Sequence, residues 1–490
     1  MTRTQKPSSA LPIWKGKVLT VPIPQTRDPF VNTPLLPVGP GKNGAERFWI
    51  SSWNSLEGTI GVLVDEFGQS RIYRFKNPDY GGFYSAVQED DDTLWLCGWL
   101  DFVVRLRLST GKTETFPTGA PHALVFAGMA FDRATGKLFA AAFPPPHIAA
   151  FSFDIKNKKT VKLHREFTPQ HYMRCSFPNG NGTHTVVMQC PGLEFLQWNP
   201  ADDSLSTKPL AENLDLHHDG PLTYRMIADD RGRRYVPHQG WYDPIAKSFD
   251  TGSPKPEKEM PWFARQGTFA YGAEGDHFYE WDLATGKVRS VCVIPHANYL
   301  DTQVTASRRL ISVNYDGFFA RVDAQTGAPE CTQKLATDSI GHVDCLVRVD
   351  KDRLIGTPFI TQRFWEANLK TGKGFDCGKA APGGGEILEV WNLRNKIYMA
   401  AYGGGELVEY DPRYHPNFPE NPRIVADAPG GMRPVAKADD GTSLYYSCSA
   451  NYGNLGSTLT KFNTRTGLAS YSQNPLPNQQ INSMVYSKKD

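Results

Sequence analysis

Histidines, arginines and aromatic residues gather between the apolar runs of this 490-residue chain, and acid–base work on a charged sugar would need those types. Of twelve histidines, His122, His171, His217, His218, His296 and His342 fall in or beside connections between groups of apolar runs, and His147 and His238 fall at a turn inside such a group. Histidine changes charge near neutrality and serves as general acid or base. The same stretches carry Tyr172, Arg174, Tyr224, Arg225, Trp241, Arg363, Trp365, Tyr402 and Arg433, with acidic groups at Asp219, Asp301, Asp316, Asp344, Glu386 and Glu406. Arg forks bind carboxylates and flat rings stack on sugar rings, so an anionic carbohydrate is the expected ligand.

Three chemistries fit these types. A histidine or tyrosine can take the proton beside a uronate carboxylate while an Arg or second His neutralises that carboxylate, giving β-elimination. Paired carboxylates, such as Asp219 with Asp301 or Glu386, can hydrolyse a glycosidic bond. His217, His218, His238 and His296 offer ligands for a divalent metal, although no tight spacing motif supports one and neither of the other chemistries requires a cofactor.

The elements that position these residues are repeated. An apolar run followed by Asn, Asp or Arg and a T-G turn returns at RLRLSTGK, WDLATGK, VDAQTGA, NLKTGK and FNTRTG. Recurrence at roughly 40 to 50 residues marks a propeller or solenoid array. Each copy divides into four short alternating runs, as a four-stranded antiparallel blade requires. Ten copies begin near Glu46, Phe83, Leu124, Tyr172, Tyr224, Trp262, Thr302, Val343, Glu386 and Met432, although seven to nine would follow from merged copies. The first copy lacks an initial strand, and QQINSMVY near the C-terminus is expected to supply it and close the ring. The sequence therefore predicts an all-β chain, with an extended, proline-rich arm over residues 1–43 and one large β-propeller over 44–490.

In this repetition the chain resembles the β-propeller repeat superfamily. Around His122 and His147 it is similar in topology to the propeller polysaccharide lyases that cleave ulvan or rhamnose-glucuronate chains. That resemblance implies a histidine pair across one blade and a Tyr–Arg pair across a later one. His122 and His147 match the first pair in position and Tyr224 opens the fifth blade, but His238 stands near the place of the Arg. Arg225, Arg174 or Arg363 would then have to neutralise the carboxylate. The resemblance thus implies His122, His147, Tyr224 and His238 as catalytic residues, while residue type and placement between the runs put Tyr172, Arg174, His217, His218, Arg225, Trp241, Arg363, Trp365 and Arg433 against the substrate. A glycoside hydrolase or a non-catalytic glycan- or protein-binding propeller would use the same face.

Composition narrows the partners. Basic residues number 53 against 51 acidic, a balance that gives no argument for a nucleic-acid groove or a membrane surface. No run of 18 apolar residues exists. The N-terminus shows no apolar signal segment, which suits a cytoplasmic protein or one whose secretion signal has been removed. The eight cysteines are scattered singly and read as buried thiols. APGGGE at 381–386 and AYGGGE at 401–406 read as close-packed turns, since no helix follows either to make a phosphate cradle.

Overall fold

The computed structural model describes residues 34–51, 59–75, 82–98, 102–120, 124–125, 128–143, 149–165, 172–189, 193–209, 225–250, 252–335, 343–359, 361–383, 385–451 and 454–487. These residues form ten antiparallel sheets, most of them four-stranded with strands in chain order. Sheets 1 to 10 open with Leu36–Pro40, Ser85–Asp90, Ala130–Asp132, Tyr172–Pro178, Arg234–Val236, Trp262–Gln266, Thr302–Val304, Val343–Arg348, Ile387–Leu393 and Gly431–Asp439. Sheet 3 carries the additional short strand Leu124–Val125, and sheet 5 has three strands preceded by a bridge from Ala228 to Arg234. The expected all-β, ten-copy repetition is therefore present. Among the described residues no helix is long and apolar enough to cross a membrane.

The T-G phrase has a physical cause. In each copy it joins the third strand to the fourth. The Asp or Asn that ends the third strand accepts from the following peptides: Asp323 Oδ1 takes Gln325 N at 2.7 Å, and Asn368 Oδ1 takes Thr371 N at 2.9 Å. The turn then needs a left-handed residue, which glycine adopts without a Cβ clash. Gly327 and Gly372 sit at φ +73° and +70°.

Apolar packing between sheet faces defines the architecture. Sheet 1 packs on sheet 2 through Trp49, Phe75, Leu94 and Val104, and corresponding clusters join each sheet to the next as far as sheet 7. Sheet 7 then packs back on sheet 1, with Ile311, Val313 and Phe319 against Phe48, Ile60 and Val62. The first seven sheets thus close on themselves. Sheets 8, 9 and 10 form a separate fan, joined by Ile355 and Phe364 against Ile387 and Met399, and by Tyr398 and Leu407 against Tyr446 and Phe462. Among the described residues no apolar cluster joins sheet 7 to sheet 8 or sheet 10 to sheet 1.

This arrangement corrects three expectations. The single ten-membered ring is a closed set of seven sheets and a fan of three. The missing first strand of sheet 1 is Leu36–Pro40, within the stretch expected to be an arm, and its Leu36 pairs with Trp49. The C-terminal run is not a strand of sheet 1. It crosses sheet 10, where Ser447 Oγ donates to Ile481 O at 2.6 Å and Ser457 Oγ to Gln479 O at 3.4 Å.

The fan meets the closed set through polar contacts. Arg363 of sheet 8 bridges Asp316 of sheet 7 at 3.0 Å and Asp376 of its own sheet at 2.6 Å, and Lys379 Nζ lies 5.9 Å from the centre of the Tyr315 ring. Away from sheet 9, sheet 8 leaves Leu346 61% exposed, a position that a neighbouring sheet would cover in a complete ring.

Candidate ligand site on the rim of the fan

Three consecutive segments on one rim of the fan are woven together by their backbones. These are residues 361–362 after Arg353–Pro358 in sheet 8, residues 380–383 and 385–386 leading into sheet 9, and the turn 402–406 after Lys396–Ala401 in sheet 9. Gln362 N donates to Gly385 O at 2.9 Å, and Ala380 N to Gln362 O at 2.8 Å. Gln362 Nε2 donates to Tyr402 O at 2.6 Å, while Tyr402 N donates to Glu386 O at 2.8 Å. Lys379 Nζ fastens the base by donating to Thr361 O and Gly383 O, both at 3.1 Å.

The two Gly-rich stretches make this closeness possible. A Cβ on Gly385 would lie 2.5 Å from Tyr402 Cδ1, and one on Gly405 would lie 2.8 Å from Ala428 Cβ. Both are close-packed turns, as the sequence suggests.

The side chains they bring together are polar and incompletely paired. Thr361 Oγ1, Gln362 Oε1, Glu386 Oε2 and Glu406 Oε2 are buried without a hydrogen-bond partner. Burial raises the Glu386 carboxyl above the usual range, Arg433 opposes the rise and Asp344 adds to it. Burial also raises Glu406, with Asp427 pushing the same way and the Gly404 and Glu406 peptides opposing. The Arg433 guanidinium lies 4.5 Å from the centre of the Tyr402 ring, its Nη2 is 3.8 Å from Glu386 Oε1, and its side chain is 41% exposed. The rim thus combines buried oxygen acceptors, an aromatic ring and a partly exposed guanidinium.

Of the residues singled out from sequence, Arg433 lies in this rim and Arg363 lies below it in the Asp316–Asp376 bridge. Trp241 and Trp365 are buried among core residues. Trp241 packs between sheets 5 and 6 and donates Nε1 to Pro254 O at 3.2 Å. Trp365 lies over Gly356, where an added Cβ would come within 2.1 Å of the indole.

Arg225 and Arg174 are also drawn inward. Arg225 donates to the carbonyls of Tyr299 at 2.9 Å, Leu300 at 2.6 Å, Leu35 at 2.5 Å and Thr302. Its guanidinium ties sheet 7 to the chain entering sheet 1. Burial lowers it to about 10 and raises its neighbour Asp301 to about 7. Arg174 is 2% exposed. His238 and His296 are exposed turn residues with φ of +64° and +62°. Tyr172 opens sheet 4 as a strand residue. His122, His147, His217, His218, Tyr224 and Asp219 lie outside the described residues, so the implied histidine pair has no geometry here. Among the described residues no three His, Cys, Asp or Glu side chains group as metal ligands.

Gln362 and Thr361 escaped the sequence reading. They stand between two strands in ITQRF, and nothing in that pattern marks a buried amide with an unpaired oxygen or the left-handed φ of +47° at Gln362.

No family model matches the chain, and no curated protein matches it in sequence. Among solved structures it is similar in shape to the extracellular domain of the putative one component system BT4673 from B. thetaiotaomicron. That likeness has 10% identity and a TM-score of 0.42, covering 92% of this chain and 67% of the other. No activity follows from a likeness so distant.

Proposed function

We propose that this chain is a carbohydrate-recognising propeller protein whose ligand is an anionic saccharide, taken up on the rim formed by Gln362, Glu386, Tyr402, Glu406 and Arg433. The observation that carries this reading is the set of buried acceptor oxygens without donors beside a partly exposed Arg stacked on a ring. A buried acceptor left unsatisfied costs about 1–3 kcal/mol, and saccharide hydroxyls are donors that would relieve it. Tyr402 supplies a stacking surface, and Arg433 supplies the fork that a uronate carboxylate pairs with.

Recognition comes first in this reading, and chemistry on the same ligand class is its extension. A lyase would use His122 and His147 for β-elimination. A hydrolase is favoured by one observation, the two buried carboxyls Glu386 and Glu406, whose raised protonation suits a general acid.

Incubation with uronate polysaccharides separates the readings. The ultraviolet absorbance of an unsaturated uronate identifies a lyase, and new reducing ends without it identify a hydrolase. Saturable binding with neither identifies a recognition module. Absence of binding to acidic saccharides, with retention of a neutral glycan or a protein partner, overturns the anionic-ligand reading.

A further inference from the structure

The Arg433–Glu386 pair has an unusual form for a charge pair. Its partners stand 3.8 Å apart, longer than a charge-assisted hydrogen bond of about 2.7–2.9 Å. One partner is almost wholly enclosed, with the Glu386 side chain 5% exposed, while the other is 41% exposed and lies over the Tyr402 ring. Glu386 Oε2 has no hydrogen-bond partner. The pair is therefore loosely made, with its cation turned outward and its anion left inside.

We propose that a ligand carboxylate takes the place of Glu386 on Arg433, and that Glu386 takes up a proton as the exchange occurs. The inference rests on the recognition reading above and deepens it, because it makes uronate selectivity a property of this pair. A ligand carboxylate reaching Arg433 removes part of the larger of the two attractions that favour the ionised form of Glu386, the other being a peptide hydrogen bond, and adds a second negative charge nearby. Both changes favour the neutral acid, whose O–H then becomes a donor toward the ligand.

The other charged and titratable groups around Glu386 do not offset this. Asp344 of the first strand of sheet 8 already pushes Glu386 toward its protonated form. Glu406, on the far side of the Lys396–Ala401 strand, is itself a buried acid. Lys379, in the link, is held by Thr361 and Gly383 carbonyls. Arg433 is therefore the cation whose engagement decides the state of Glu386.

Isothermal titration of a galacturonate trimer into the whole protein tests this, run at one pH in buffers of different ionisation heat. The expected result is uptake approaching one proton per trimer above the Glu386 pKa, with affinity falling about tenfold per pH unit there. Glu386→Gln should bind with no proton uptake and little pH dependence. Binding by the wild type without proton uptake overturns the exchange and leaves recognition standing, as does uptake that persists in Glu386→Gln. Failure of the wild type to bind this or any other acidic saccharide overturns recognition itself, and the exchange with it.

Discussion

Gln333 Nε2 donates to the carbonyl of Gly68 across 2.6 Å, joining the last strand of sheet 7 to the turn before the last strand of sheet 1. The same two sheets are also joined by the Arg321 guanidinium over the Phe67 ring at 4.6 Å and, at their first strands, by Gln303 Nε2 on Leu35 O at 2.7 Å and the carbonyls held by Arg225. The ring of seven sheets is closed by side chains, apolar faces and a peptide hydrogen bond from Leu35 N to Leu300 O at 2.9 Å, with no strand shared between its first and last members.

Replacing Arg225 by Ala should therefore loosen the closure. It removes a donor shared by four carbonyls, of which Leu35 O keeps Gln303 Nε2 and Leu300 O keeps Leu35 N, and a loss of about 1–3 kcal/mol is expected. Equilibrium urea unfolding measures it, and Arg225→Lys should recover little because an ammonium lacks the planar fork. An unchanged midpoint in Arg225→Ala would reject the clamp.

Truncation before Gln479 should leave the ring closed. The removed segment crosses sheet 10, so the protein should remain soluble with a modest loss of thermal stability, whereas deletion of residues 34–40 should produce aggregation by exposing the edge at Trp49. Light scattering during a thermal ramp compares the two. Aggregation of the C-terminal truncation alone would contradict the observed topology.

Asp301 sets a pH dependence. Its folded pKa of about 7 lies above its ordinary value of 3.8, so the folded state binds the extra proton between those values. Stability from this group is present below about pH 4 and is lost as pH rises toward 7. Asp301→Asn should accordingly lose less stability than the wild type over that window, by denaturant midpoints taken across it. Parallel curves would show that the group does not titrate as stated.

Gly385→Ala should weaken saccharide binding without touching the ligand. The added methyl meets Tyr402 Cδ1 at 2.5 Å and must push aside the ring on which Arg433 lies. Arg433→Ala should weaken binding of a uronate trimer tenfold or more and leave a methyl-esterified trimer unaffected. Equal loss for both ligands would place Arg433 outside carboxylate recognition.

His164 and His238 should behave differently. His164 is 8% exposed with its ring 5.8 Å from Phe139, so Ala there should lower the melting temperature, whereas the exposed His238 should tolerate Ala. Its burial makes His164 a stability position and a poor neutral control for activity measurements.

The repetition was legible because the Asp or Asn cap and the left-handed Gly are local demands of one turn, written as D/N-x-x-T-G at WDLATGK, VDAQTGA, NLKTGK and FNTRTG. The starts at Tyr172, Trp262, Thr302 and Val343 coincide with first strands for the same reason. The opening strand LPVGP was missed because Pro37 and Pro40 argue against a central strand, yet Leu36–Pro40 is an edge strand, where proline is tolerated. QQINSMVY misled because its apolar residues suggest a strand while no sheet edge receives it. Ring membership was hidden for a deeper reason. Ile311, Val313 and Phe319 carry the apolar alternation that any neighbouring sheet would require, and nothing local says that the neighbour is sheet 1. At the site, Glu386, Tyr402 and Arg433 stood out by type, whereas the burial of Trp241, Trp365 and Arg225 depends on contacts between distant strands.

The polar junction at Arg363 gives the chain two melting units. Apolar faces bind sheets 1 to 7 to one another and sheets 8 to 10 to one another, while the described contacts across the junction are charge and hydrogen-bond contacts that salt weakens. Calorimetry should resolve two heat-absorption peaks that separate further as ionic strength rises, with the saccharide raising only the peak that belongs to the fan.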